Sequence, residues 1–218
     1  MSREAVALWR IAAVATILTA ACALTIDEPL ARWIGSYETV HAWDRGISVL
    51  EYAAGIEPWK WTIVSVLAAG SAACLERPAW RHRAPAWLFV AGTYLLTRNL
   101  MSWIKLFTGR LRPVEWLGKG GAVWLREDGF SFPSGHIVLF AGLVIPLAVV
   151  APRAGRPLLA VVAFAMIARV AVDAHFVSDV LGGIALTCAC AAVWEPVRRL
   201  RFDAPRVTDG TDVRPASR

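Results

Sequence analysis

Long, mostly apolar stretches alternate with short polar gaps along this chain, and six of the stretches approach the length that crosses a bilayer, about 17–25 residues. They run approximately Val6–Ile26, Trp59–Leu75, Ala84–Leu106, His136–Ala151, Pro157–Asp173 and Val177–Trp194. Ala, Leu, Val and Ile recur in each without alternation of period two, so each predicts a helix and none a strand. No internal repeat stands out. The predicted architecture is all-α: one domain of six transmembrane helices over residues 1–202. The polar stretch 203–218, which carries Pro and Gly, is predicted to be a disordered tail on the cytoplasmic side.

Composition strengthens this picture. Of 218 residues, 57% are hydrophobic and 18% charged, and the mean hydropathy is +0.51. Soluble domains run about 45–50% apolar and about 25% charged, so this chain has more apolar surface than one water-soluble core of its size can hide. The same proportions exclude a disordered chain, a collagen and a disulfide scaffold. Cys22, Cys74, Cys188 and Cys190 all fall in apolar stretches without metal-type spacing and read as small apolar side chains. Thr19-Ala20-Ala21-Cys22 faintly resembles a lipoprotein processing site, but the apolar run continues to Ile26, so a retained first helix is expected.

Net charge is +6, yet the basic residues are scattered between apolar runs and form no stripe, which excludes a nucleic-acid partner. Their distribution speaks instead to orientation. Gaps on the side of the N-terminus, with the tail, hold thirteen Lys and Arg residues, among them Arg3, Arg77, Arg153 and Arg198. The opposite side holds six: Arg32, Arg45, Arg110, Arg112, Lys119 and Arg126. That side is also acidic, with Asp27, Glu28, Glu38, Asp44, Glu51 and Glu57. The positive-inside rule therefore predicts both termini in the cytoplasm. All eleven tryptophans lie near a predicted span end or in the outer gaps, the positions such rings favour.

Ionisable groups in or at the edge of a membrane are costly and mark function. Three segments carry them, all at the outer ends of the spans. The first holds Lys105 and Arg112, seven residues apart and on one helical face if the helix continues. Taken alone, the two are explained by snorkelling to the interface. The second, Pro133-Ser134-Gly135-His136, opens the fourth span. A helix start offers unpaired N–H groups to an anion, Gly135 lets it approach, and His136 can exchange a proton near neutral pH. The third holds Arg169, Asp173, His175 and Asp179. His175 and Asp179 are four apart and share a face if they start a helix, which lets the carboxylate orient the ring. A buried ion pair of Arg169 with Asp173 or Asp179 is the plainer reading of this segment. Together the three supply three cations, a helix N-terminus and two histidines at one depth, an ensemble suited to phosphate. Arg98 is the one deeper charge, and an internal partner is expected for it.

Lys-x6-Arg-Pro (Lys105–Pro113), Pro-Ser-Gly-His (Pro133–His136) and Arg-x5-His-x3-Asp (Arg169–Asp179), in this order, resemble the tripartite signature of the type 2 phosphatidic acid phosphatase superfamily. The resemblance covers about Trp59–Trp194. One departure is Ala168, where the third motif usually has Ser before its Arg. The vanadium haloperoxidases share the motifs but are soluble, which this composition excludes.

The resemblance implies a six-span phosphatase-type bundle and a metal-independent reaction without cofactor. His175 would be the nucleophile that forms a phosphohistidine, Asp179 its orienting carboxylate, and His136 the acid that protonates the leaving oxygen. Lys105, Arg112, Ser134, Gly135 and Arg169 would cradle the phosphate. A site at the outer boundary, beside Trp103, Trp116 and Trp124, favours an amphiphile whose tail stays in lipid. The expected setting is the inner membrane of a bacterium, with the site facing the periplasm. Undecaprenyl diphosphate ranks first as substrate, by analogy, with phosphatidylglycerophosphate beside it. A lipid A phosphatase or a lipid phosphotransferase is the alternative within the superfamily. A transporter is disfavoured, because its charges would spread through the bilayer depth.

Overall fold

The computed structural model describes residues 1–37 and 56–200, the side chains of 56–61 excepted, and these residues form helices with no strand among them. Glu38, Asp44, Glu51, Arg45 and the 203–218 tail fall outside this description, as does the side chain of Glu57. The helices are α1 (Arg3–Thr25), α2 (Asp27–Gly35), α3 (Ile56–Glu76), α4 (Ala84–Thr108), α5 (Pro113–Lys119), α6 (Gly135–Val150), α7 (Pro152–Ala171) and α8 (Val177–Trp194). Short 3₁₀ turns at Pro78–Arg83 and Glu195–Arg199 flank α4 and α8.

Each of the six apolar stretches is a helix. Among the described residues three segments are long and apolar enough to cross a membrane: Arg3–Thr25, Pro152–Ala171 and Val177–Arg199. Thr62–Glu76 and Gly135–Val150 are shorter apolar helices. α7 begins at Pro152 and not at Pro157, because α6 breaks at Ala151 and the chain turns back at once. Gly155 makes that turn possible: a Cβ there would stand 2.4 Å from the backbone nitrogen of Ala148. Two helices come from gaps. α2 buries Asp27, Ala31 and Ile34, one face at helical spacing. α5 starts with Pro113 in its first turn, and Glu115 accepts the Arg112 N–H at 2.9 Å.

α8 is the centre. Of its most apolar window 61% is buried, against 28% for α1 and 22% for α7. Gly182, Gly183, Ala185, Cys188, Ala191 and Ala192 line α8, and such small side chains let neighbouring backbones approach closely. Leu8 and Ala12 of α1 pack on Cys188, Ala191 and Ala192 together with Phe89 of α4, while Ile137, Ala141 and Val144 of α6 meet Val162 and Val180. The outward faces are as apolar as the core: Ile11, Val14 and Ile17 on α1, Val161, Phe164 and Ile167 on α7. In α1 Ala5, Leu8, Ala12 and Ala15 face inward while Ile11, Val14, Ile17 and Leu18 are exposed, an outward apolar face that suits lipid and not water. Arg98, for which an internal partner is expected, stands one turn after Tyr94, and its charge acts on the tyrosine hydroxyl.

α6 runs antiparallel to α4 and α7 and parallel to α8, so the helix ends gather at two poles. At one, Arg198 pairs with Glu4 at 3.4 Å and the Trp194 ring N–H donates to the Leu88 carbonyl at 3.0 Å. At the other, the end of α4, the start of α6, the end of α7 and the start of α8 come together. All three motif segments lie at this second pole.

Candidate active site

α4 ends where Gly109 takes the left-handed conformation, φ 48°, and returns its N–H to the Lys105 carbonyl. The expected continuation of this helix, which would have set Arg112 on the face of Lys105, is therefore corrected. The chain turns, and Arg112 becomes the N-cap of α5. The two charges still act on one another across the turn. The Lys105 ammonium donates to the Phe130 carbonyl and, at 3.4 Å, to that of Ser131, which places it beside the approach to the second motif.

α6 opens at Gly135 with Ser134 as its N-cap. The Ser134 N–H donates to the Asp179 carbonyl at 3.1 Å, joining the second and third motifs through the backbone. Its hydroxyl is fully buried and has no hydrogen-bond partner among the described residues. A Cβ built at Gly135 would meet only the Met101 sulfur, at 3.7 Å. The head of α6 thus combines an unanswered hydroxyl, unfilled room and the positive end of a helix, which together suit an anion. His136 follows, half-buried.

Asp173 turns the chain after α7 with φ 56°, a conformation Asp tolerates better than most residues. The N–H groups of Ala174 and His175 then both donate to the Arg169 carbonyl, each at 3.2 Å. His175 precedes α8, whose N-cap is Phe176. The shared helical face expected of His175 and Asp179 is corrected accordingly: only Asp179 is helical. The two meet because Asp179 reaches back to accept the Phe176 N–H at 2.9 Å, and this sets its Oδ2 3.4 Å from His175 Nδ1.

Proton counting fixes the tautomer. The Ser131 hydroxyl donates to Asp179 Oδ2 at 2.5 Å, and its oxygen stands 3.2 Å from His175 Nδ1. An ionised carboxylate only accepts, and Ser131 has one proton, already committed. Nδ1 must therefore carry the ring proton, leaving the lone pair on Nε2. Burial pushes the His175 pKa down to about 4; Asp179 opposes this, while the charges of Lys105 and Arg169 add to it. The ring is neutral at pH 7, the form a nucleophile requires.

Arg110, counted among the outer-gap charges on sequence, is 1% exposed. It sits 4.2 Å from the ring centroids of both Trp124 and Phe176. Its Nη1 donates to Asp179 Oδ1 and its Nη2 to Asp27 Oδ2, each at 2.6 Å. Asp179, one of the two carboxylates that the plainer reading offered to Arg169, thus pairs with Arg110. Asp27, also assigned to the outer gap, is buried at the head of α2. It accepts the Ser178 N–H at 3.1 Å and the Ser178 hydroxyl as well.

An apolar groove of about 550 Å³ runs beside this cluster, between α2 and the adjoining ends of α7 and α8. Leu30, Ile34, Val170 and Val177 line both the groove and the crevice that reaches His175. Among the described residues no group of three His, Cys, Asp or Glu side chains converges as metal ligands.

A family model described as the PAP2 superfamily matches residues 86–202. No curated protein and no solved structure matches the chain.

Proposed function

The chain belongs to the PAP2 superfamily of phosphatases, and from that premise we propose a metal-independent lipid phosphate or diphosphate phosphatase that works through a phosphohistidine on His175. One observation carries the reading: a neutral imidazole with its proton held on Nδ1 by Asp179 and Ser131 presents Nε2 within the field of Lys105 and Arg169.

Nε2 attacks phosphorus, and the bond from phosphorus to the lipid-side oxygen breaks as His136 delivers a proton to that oxygen. Water then attacks the phosphohistidine, giving its proton to His136, while the P–N electron pair returns to Nε2 and phosphate leaves. Asp179 balances the charge the ring acquires between the two steps. Lys105, Arg112, Arg169, Ser134 and the Gly135 N–H neutralise the equatorial oxygens.

The apolar groove along α2, which shares Leu30, Ile34, Val170 and Val177 with the crevice at His175, suits a long apolar chain and supports an amphiphilic substrate. Six membrane spans with both termini in the cytoplasm of a bacterium would put the site at the periplasmic face of the inner membrane. Undecaprenyl diphosphate is the first candidate and phosphatidylglycerophosphate the second. The test is phosphate release by purified protein in detergent with EDTA, over undecaprenyl diphosphate, phosphatidylglycerophosphate, phosphatidate and a lipid A phosphate. Release from at least one, inhibited by orthovanadate, is expected. A strict Mg²⁺ requirement, or no release and no phosphoenzyme with any of them, overturns the reading.

A further inference from the structure

Three charges of the site lie deeper than the phosphate cradle: Asp27, Arg110 and Asp179. As a device for stability this arrangement is poor, since removing three charges from water costs several kcal/mol each and apolar replacements of similar volume often serve as well. Its position is more informative. Arg110 takes Asp179 Oδ1 at 2.6 Å and so fixes the carboxylate's rotation. The other oxygen, Oδ2, is left to the Phe176 N–H, the Ser131 hydroxyl and His175. Arg110 is itself fixed on three sides. Asp27 holds Nη2, the Ser178 oxygen accepts from Nη1, and the rings of Trp124 and Phe176 stand against the guanidinium. Asp27 is fixed in turn by the N–H and hydroxyl of Ser178, one residue before Asp179.

We infer that Arg110 and Asp27 are positioning residues for the nucleophile, acting through Asp179 in a chain Asp27–Arg110–Asp179–His175. Neither touches substrate. Their task is to hold Asp179 Oδ2 on Nδ1–H, so that Nε2 keeps its lone pair and its aim. Only a planar guanidinium bridges the two carboxylates, one nitrogen to each, and a lysine ammonium cannot reproduce that fork. Asp27 opens α2, outside the 86–202 family match, so the chain recruits its N-terminal region to the site. The inference rests on His175 being the nucleophile.

The experiment is a double-mutant cycle on turnover, in which Arg110→Lys and Asp27→Asn are each made alone and with Asp179→Asn. Arg110→Lys should lower kcat by about 10- to 100-fold with KM within about twofold, the usual effect of losing a group that orients a first-contact residue. In the Asp179→Asn background either change should cost less than about twofold, because the group it acts through is already gone. Additive losses overturn the proposal. So does a drop in melting temperature with kcat per folded molecule unchanged, or failure of the near-isosteric Asp27→Asn to fold, since both assign the pair to structure alone. A second readout needs no turnover. In protein labelled with 15N-histidine, the His175 Nδ1–H signal, identified by its loss in His175→Asn, should shift in Arg110→Lys and in Asp27→Asn. An unmoved signal overturns the relay. A moved signal in a protein that hydrolyses no lipid phosphate leaves the relay standing and removes the proposed function instead.

Discussion

Ser131 donates its one hydroxyl proton to Asp179 at 2.5 Å, and so faces His175 only as an acceptor. The serine therefore acts on the carboxylate and the imidazole together. Ser131→Ala should lower kcat on the order of tenfold, the loss of one charge-assisted hydrogen bond at about 1.5 kcal/mol, with little change in KM. Steady-state kinetics on the best lipid of the panel checks this, and an unchanged kcat removes Ser131 from the site's working parts.

His175→Ala should reduce turnover to background, and the wild type should trap labelled phosphate in an acid-labile, base-stable linkage. His136→Ala should behave differently. With a p-nitrophenyl-type leaving group, whose departure needs no proton, the first step should persist while turnover stalls at the second. Equal loss at the first step for aryl and lipid substrates would show that His136 is not the leaving-group acid.

The buried neutral ring of His175 has a consequence for stability. Its pKa is pushed down to about 4, chiefly by burial, against about 6.5 for an unfolded histidine. Above pH 6.5 neither state binds the proton. Between about 6.5 and 4 only the unfolded chain does, so folding stability falls as the pH falls through that window. A His175→Gln variant lacks this loss. Melting temperatures measured from pH 7.5 to 4 should therefore converge, or cross in favour of the variant, as the pH drops. A constant difference would place His175 in a wetter site.

Two glycines should separate binding from folding. Gly135→Ala adds a methyl group in open space at the head of α6, where only Met101 lies within reach, at 3.7 Å. The fold should hold while KM and the vanadate inhibition constant rise together. Gly182→Ala sets a methyl group 2.4 Å from the Phe132 ring and should cost about 1–3 kcal/mol of stability by overpacking. A Gly135→Ala variant with wild-type vanadate affinity would move the anion away from α6.

Sidedness is open to single cysteines in a background without the four native ones. With both termini in the cytoplasm, cysteines at Ser36 and Lys119 should react with an impermeant thiol reagent on cells with a permeabilised outer membrane. Those at His82 and Arg153 should react only after lysis. The reverse pattern would move the site to cytoplasmic-leaflet chemistry and leave the motif geometry untouched.

Residues whose partners are close in sequence were the most readable from sequence. Asp179 meets His175 across four residues, and the spacing alone suggested the pair, although a capping bond and not a helical face joins them. The helices were legible because lipid and core both demand apolar side chains. α2 was not, since nine amphipathic residues after an apolar run look like a polar gap. Arg110 and Asp27 were misread for a plainer reason. A buried arginine and a loop arginine are the same letter, and these partners lie 83 residues apart. The turn between Lys105 and Arg112 was missed because Gly109 can continue a helix or end one, and only φ 48° decides.

Asp27 and Ser178, joined at 3.1 Å in the finished protein, are separated by 151 residues of chain. At a synthesis rate of about 5–20 residues per second, the first group of the site waits roughly 8 to 30 seconds for the last. During that interval a half-built bundle carries an aspartate without its arginine, and then an arginine with one of its two carboxylates. No fragment short of α8 holds His175 and Asp179 together, so under the proposed mechanism phosphate chemistry would wait for that helix. Among the described α-helices, α8 is thus both the one synthesised last and the one that completes the proposed nucleophile.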